Sequence, residues 1–99
     1  MAEVLSMRWT GVTPDQYDAT RVAVGREERA PEGAPMHVAW FEPDALRVVD
    51  VRTSRAAFER FFAERLAAAV REAGITGAPE TEFRPLHLRC IAPGATGAA

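Results

Sequence analysis

Ninety-nine residues with a formal net charge of -2, from 14 acidic and 12 basic side chains, make one small domain and exclude nucleic acid as the default partner, because no basic block supplies a phosphate-binding stripe. Apolar residues at 47% and charged residues at 26% are the balance of a globular protein, and no apolar run approaches the roughly 20 residues that span a bilayer. A single cysteine, Cys90, excludes an internal disulfide and gives no metal-type spacing. The N-terminus shows no basic region ahead of an apolar stretch, so the expected location is the cytoplasm, away from membranes.

In chain order, Ala2 to Thr10 reads as a strand with Leu5, Met7 and Trp9 on one face and Val4, Ser6 and Arg8 on the other. Thr13-Pro14-Asp15-Gln16 is a full helix start: Thr13 as N-cap, Pro14 at the first helical position and Gln16 three after the cap. Val12 and Tyr17 stand where a hydrophobic staple pairs them, and the helix is expected to run to Val24 and stop at Gly25. Its inward stripe, Tyr17, Thr20, Arg21 and Val24, is weakly apolar. Gly25 to Gly33 is charged, with Gly and Pro and no apolar period, which is the pattern of a flexible surface loop.

Two apolar, β-branched or aromatic runs follow, Met36 to Phe41 and Leu46 to Thr53, around a Pro43-Asp44 turn. Proline presets φ for the first central turn position and aspartate tolerates the second, so this is a hairpin. Thr53 or Ser54 then caps the strongest helix, whose Phe58, Phe61, Phe62, Leu66, Ala69, Val70 and Ala73 repeat at three and four. Gly74 ends it, with Ile75 folding back on the last turn. A last strand is expected from Glu80 to Ile91, with Cys90 buried near its end. The fold class is therefore α+β, a ferredoxin-like βαββαβ unit with a four-stranded antiparallel sheet, in one domain over 1-92 with a flexible tail at 93-99. Right-handed crossovers order the strands fourth, first, third, second.

The turn sets the register of the hairpin, placing His37 opposite Asp50 and Trp40 opposite Arg47. Alternation then sorts Met36, Val38, Trp40, Arg47, Val49 and Val51 onto one face, and His37, Ala39, Phe41, Leu46, Val48, Asp50 and Arg52 onto the other. The first is mostly apolar and is expected under the helices with Leu5, Met7, Leu86 and Leu88. The second mixes charge with apolar groups, joined by Val4, Ser6, Arg8, Phe83 and His87, and is expected to meet a ligand or a partner subunit. His37 beside Asp50 has the makings of a general base, since a carboxylate orients the imidazole ring and stabilises its charged form. His87, on the last strand, is about 14 Å away across three strand spacings, which excludes a dyad or metal pair within one sheet and leaves open a meeting across a dimer. Tyr17 has a hydroxyl to offer a pocket, Arg52 and Arg8 suit either an enolate or carboxylate or interface ion pairs, and Trp40 and Arg47 make a stacked pair. Nothing resembles a nucleophile elbow, a phosphate-cradling Gly loop or a zinc motif, so neither metal nor cofactor is expected.

The Tyr17 helix start, the HVAW strand, the RVVDV strand, the SRAAFERFFAERL helix and the closing PLHL together resemble small bacterial proteins of the dimeric α+β barrel superfamily, which includes antibiotic-biosynthesis-monooxygenase-like domains. The resemblance covers residues 2 to 90. It implies a homodimer packed sheet against sheet, binding a small hydrophobic or aromatic ligand, with relatives that often carry an aromatic residue where this chain has Arg52. It also implies a choice among cofactor-independent monooxygenase, cyclase and isomerase chemistry on an aromatic or polyketide-like substrate through an enolate. In that reading His37 and Asp50 are catalytic, and Arg52, His87, Tyr17, Arg8 and Phe83 bind ligand. The alternative is a non-catalytic binding or assembly protein whose mixed face is only a dimer interface. The sequence leaves open whether the chain is an enzyme.

Overall fold

The computed structural model describes residues 2–25, 35–94 and 97. The expected charged loop after Gly25 and most of the expected tail lie outside the described residues. Four strands, β1 (Glu3–Thr10), β2 (Met36–Glu42), β3 (Ala45–Arg52) and β4 (Glu80–Pro85), form one antiparallel sheet. Helix α1 (Pro14–Val24) follows β1. Helix α2 follows β3 as a continuous run of Arg55–Phe61, a π-helical turn at Phe62–Leu66, and Ala67–Glu72. The strand order is β2-β3-β1-β4, as right-handed crossovers require. This is the ferredoxin-like α+β fold.

The helix ends follow from local chemistry. Gln16 N donates to Thr13 Oγ1 at 3.2 Å and Thr13 N donates to Gln16 Oε1 at 3.0 Å, a reciprocal cap that satisfies two backbone donors. Gly25, at φ 69°, closes α1. Ser54, the second of the two candidate caps, accepts from Ala57 N at 3.1 Å. Gly74, at φ 79°, donates to Arg71 O at 3.0 Å while Ile75 N donates to Val70 O at 3.1 Å. That bond pair is a Schellman stop, and Ile75 packs on the core behind it.

The π-helical turn was not expected from a three-and-four repeat. Ala67 N donates to Phe62 O, five residues back, so the turn holds one residue more than an α-helical turn. Phe61 and Leu66, five apart, therefore both reach the packed stripe that includes Val24 and Ala69. The same turn brings Arg65 Nη2 within 2.7 Å of Val24 O, which caps the C-terminal end of α1 from the neighbouring helix.

The side of the sheet that meets the helices corrects the sequence reading. Leu5, Met7 and Trp9 stand opposite Asp50, Val48 and Leu46, and these in turn stand opposite His37, Ala39 and Phe41. Directly opposed residues share a face, so the mixed face of the hairpin, not the mostly apolar one, lies under the helices. Leu5, Met7, Trp9, Leu46, Val48, Phe58 and Val70 form the core there. Counting apolar residues misled because Asp50 and Arg52 are buried as a pair, 2% and 1% exposed, and a paired charge tolerates burial that a lone one does not. On the other side Val38 and Trp40 are 48% and 42% exposed. There Arg47 stacks on Trp40, its guanidinium carbon 5.5 Å from the ring centre, as expected.

The last strand is shorter than expected. β1 begins at Glu3, opposite Pro85, and after one more bond from Leu86 N to Ala2 O at 3.0 Å the chain has run past its partner strand. Leu88 is accordingly 77% exposed rather than core, Leu86 is half-buried rather than under the helices, and Cys90 is an exposed free thiol rather than a buried one. Among the described residues no helix is long and apolar enough to cross a membrane.

Candidate functional site

The charged residues of the helix-facing side converge at one end of the core. Asp50 and Arg52 are two apart on β3, so their side chains leave the same face. Arg52 Nη2 donates to Asp50 Oδ2 at 2.5 Å. From β2, directly opposite Asp50, His37 brings Nδ1 to 2.5 Å from Asp50 Oδ1. From α1, the Tyr17 hydroxyl lies 2.8 Å from His37 Nε2. The result is a continuous polar chain, Tyr17 to His37 to Asp50 to Arg52, crossing from helix to sheet.

Aromatic rings surround this chain. The Arg52 guanidinium carbon sits 4.9 Å from the Phe58 ring centre and 5.2 Å from that of Phe61, so the phenylalanines of α2 cover the cation with their electron-rich faces. Its Nε and Nη1 are buried with no hydrogen-bond partner among the described residues. Tyr17 lies with its ring plane within 2° of the His37 ring, centres 6.2 Å apart, and meets Phe41 edge-on at 6.0 Å.

All four polar residues line one cavity of about 70 Å³ between α1, α2 and the sheet. The rest of its wall is largely apolar, with Met7, Trp9, Val48, Phe61, Leu66 and Ile75 among the lining residues. Such a volume holds more than a water, which needs roughly 10 to 15 Å³, but is below the roughly 300 to 1,000 Å³ of sites for drug-sized ligands. Thr20 and Arg21 also line it. Both belong to the inward stripe of α1 but not to the site residues expected from the sequence, and the weak apolarity of that stripe is their signal: it borders a site as well as a core.

Three of the sequence-predicted ligand residues are not in this site. Arg8 points to the opposite side of the sheet, where it donates to Glu42 Oε1, Asp44 Oδ2 and Thr10 Oγ1 at 3.2, 3.2 and 3.0 Å. The hydrogen bond to Glu42 leads the causes that raise its pKa above the ordinary arginine value, and the cluster is an ion-pair group beside the hairpin turn. Its assignment beside His37 failed because β1 pairs with β3 in the register that puts Arg8 opposite Arg47. Phe83 does face the helices, but it packs edge-on against Phe58 at 5.7 Å and under Arg55 at 4.2 Å, away from the cavity lining. His87 is exposed beyond the end of β4. Among the described residues no group of three or more His, Cys, Asp or Glu is arranged to hold a metal ion.

No family model and no curated protein matches the chain. Solved structures do. A putative antibiotic biosynthesis monooxygenase from Chloroflexus aurantiacus superposes with a TM-score of 0.64 at 18% identity, covering 93% of this chain and 100% of its own. SnoaB, a cofactor-independent oxygenase from Streptomyces nogalater, gives 0.58 at 16% identity over 93% and 97%. A monooxygenase of Streptomyces coelicolor, in complex with nanaomycin D, gives 0.58 at 20% identity over 92% of each chain.

The chain has the fold of the antibiotic-biosynthesis-monooxygenase-like proteins. At these identities the likeness is one of fold, and the neighbours with that fold also include a protein of unknown function. The antibiotic-biosynthesis-monooxygenase-like fold accounts for the strand order and both crossovers. The polar chain under the helices is read from this protein's own side chains.

Proposed function

We propose that the cavity beneath α1 and α2 binds a small, partly apolar molecule that enolises, and that His37, oriented by Asp50, belongs to the machinery that removes its proton. The observation that carries this reading is half-buried His37 joined to the buried Asp50 and Arg52 at the wall of a largely apolar cavity. Imidazole is the side chain best suited to proton transfer near neutrality. Arg52 supplies the positive charge, with Nε and Nη1 as donors not engaged by other described residues, that steadies the resulting enolate. Oxygenation of that enolate, its cyclisation or its isomerisation are the compatible outcomes. Oxygenation has the support of fold neighbours described as oxygenases, one of them cofactor-independent. A polyketide-sized ligand requires α1 or α2 to move off the sheet, because the cavity volume is that of a smaller molecule.

The competing reading, a non-catalytic protein whose mixed face is a dimer interface, loses its second half, because that face is covered by the chain's own helices. A non-catalytic binder using the same cavity is the remaining alternative. The surface proposed for a homodimer is instead the open sheet face with Val38 and Trp40. A thermal-shift screen with small enolisable aromatic and 1,3-dicarbonyl compounds tests the reading. Stabilisation of the wild-type protein that disappears in His37→Ala is expected, and no shift by any compound would count against the cavity as a site.

A further inference from the structure

His37 does not present a bare nitrogen to the cavity. Nδ1 is engaged by Asp50 at 2.5 Å and Nε2 by the Tyr17 hydroxyl at 2.8 Å. The Asp50 carboxylate also takes a hydrogen bond from the Arg52 guanidinium, and an ionised carboxylate only accepts. The proton of the neutral ring therefore belongs on Nδ1, which leaves Nε2 an acceptor. Its partner must then donate, so the Tyr17 hydroxyl proton points at Nε2.

The geometry points to Tyr17, not His37, as the group that exchanges a proton with a ligand in the cavity, with His37 behind it as the relay. This inference rests on the proposed enolisable ligand. In the step, the ligand C–H bond breaks and its proton bonds to the Tyr17 oxygen. At the same moment the Tyr17 O–H bond breaks and that proton bonds to His37 Nε2. The electron pair of the C–H bond stays on the ligand as an enolate, and the imidazolium formed lies against Asp50. Tyr17 ends with a new O–H directed at the enolate, so the same residue that accepted the proton donates a hydrogen bond to the anion. Nothing is oxidised or reduced, and the reverse transfers restore the site.

Placement supports this assignment. Tyr17 and His37 both line the cavity, and Tyr17 is held on the first turns of α1 by the Thr13–Gln16 cap, parallel to His37 and edge-on to Phe41. A proton-transfer group needs such fixed geometry. A tyrosine that only covered His37 would make the opposite prediction on removal, because losing its hydroxyl would free Nε2.

Two measurements on the full chain decide between them. Nitrogen-15 spectra of His37 should show the Nδ1–H tautomer. An Nε2–H tautomer would reverse the hydrogen bond with Tyr17 and overturn the relay. The second uses 5-nitrobenzisoxazole, a small carbon acid that opens to a coloured phenolate when a base removes its ring proton. Turnover above buffer is expected, lowered about tenfold or more in Tyr17→Phe and to a similar level in His37→Gln, with the double variant no worse because the two act as a unit. Equal or faster turnover by Tyr17→Phe assigns the base to His37 and overturns the proposal, as does wild-type protein with no turnover above buffer. Failure of the ligand-binding reading shows separately, as an absence of thermal shifts with the enolisable compounds. Failure of the relay alone leaves those shifts in place.

Discussion

His37 and Asp50 stand directly opposite each other on β2 and β3, with Nδ1 of one 2.5 Å from Oδ1 of the other. The pair joins an edge strand to a central one on the side buried under the helices, and it places a titratable ring at the wall of a cavity. Asp50 in turn holds Arg52, so one carboxylate organises two basic groups.

Arg52→Leu should destabilise the fold by about 3 to 5 kcal/mol, because it leaves Asp50 buried without its guanidinium partner. The double variant Asp50→Leu/Arg52→Leu should lie closer to wild type than either single variant, since an apolar pair removes the uncompensated charge. Chemical denaturation measures both. Simple additivity of the two losses would show that the buried pair is not coupled.

His37→Ala should remove any ligand-induced thermal shift while leaving the oligomeric state unchanged, since His37 lies on the helix side of the sheet and the proposed dimer face is the other side. Light scattering run beside the thermal-shift assay checks both halves. Unchanged ligand shifts would take His37 out of the site.

The open sheet face should make the chain a dimer at micromolar concentration, because Val38 and Trp40 form part of an apolar patch that water alone would otherwise cover. Introducing a charge there, as in Val38→Glu, whose neighbour across the strand pair is Val49, should move the population to monomer by desolvating an unpaired carboxylate in the interface. Sedimentation velocity distinguishes the two states, and a wild-type monomer would contradict the barrel arrangement.

Gly74→Ala should cost about 1 kcal/mol, because the C-terminal stop of α2 holds this residue at φ 79°, where a Cβ is disfavoured. The new Cβ would make only an ordinary contact, 3.8 Å from Gln16 Nε2, so the loss would come from backbone conformation alone. An unchanged denaturation midpoint would mean that α2 ends in another way in solution.

Much of the fold is legible in the residues themselves, because its signals are local. The Thr13–Gln16 cap, the Pro43-Asp44 turn, the Gly25 and Gly74 stops and the opposition of His37 to Asp50 each depend on a few neighbouring positions. The π-helical turn at Phe62–Leu66 was not legible in the same way, since the apolar residues on either side also fit an ordinary helix. The early end of β4 escaped as well, because it depends on where β1 begins rather than on any residue of β4.

The site divides along the same line. Alternation along the hairpin was enough to put His37, Asp50 and Arg52 on one face and Trp40 with Arg47 on the other. Which of those faces the helices cover was a tertiary decision, made by the register of β1 on β3 and the path of the crossovers, and no count of apolar side chains anticipates it when two opposite charges neutralise each other in the core. The contact between Tyr17 and His37 is of the same kind. A helix start and a strand residue twenty positions apart become partners only when α1 packs across the sheet, and that packing turns a cross-strand pair into a chain of proton-bearing groups at the edge of a cavity.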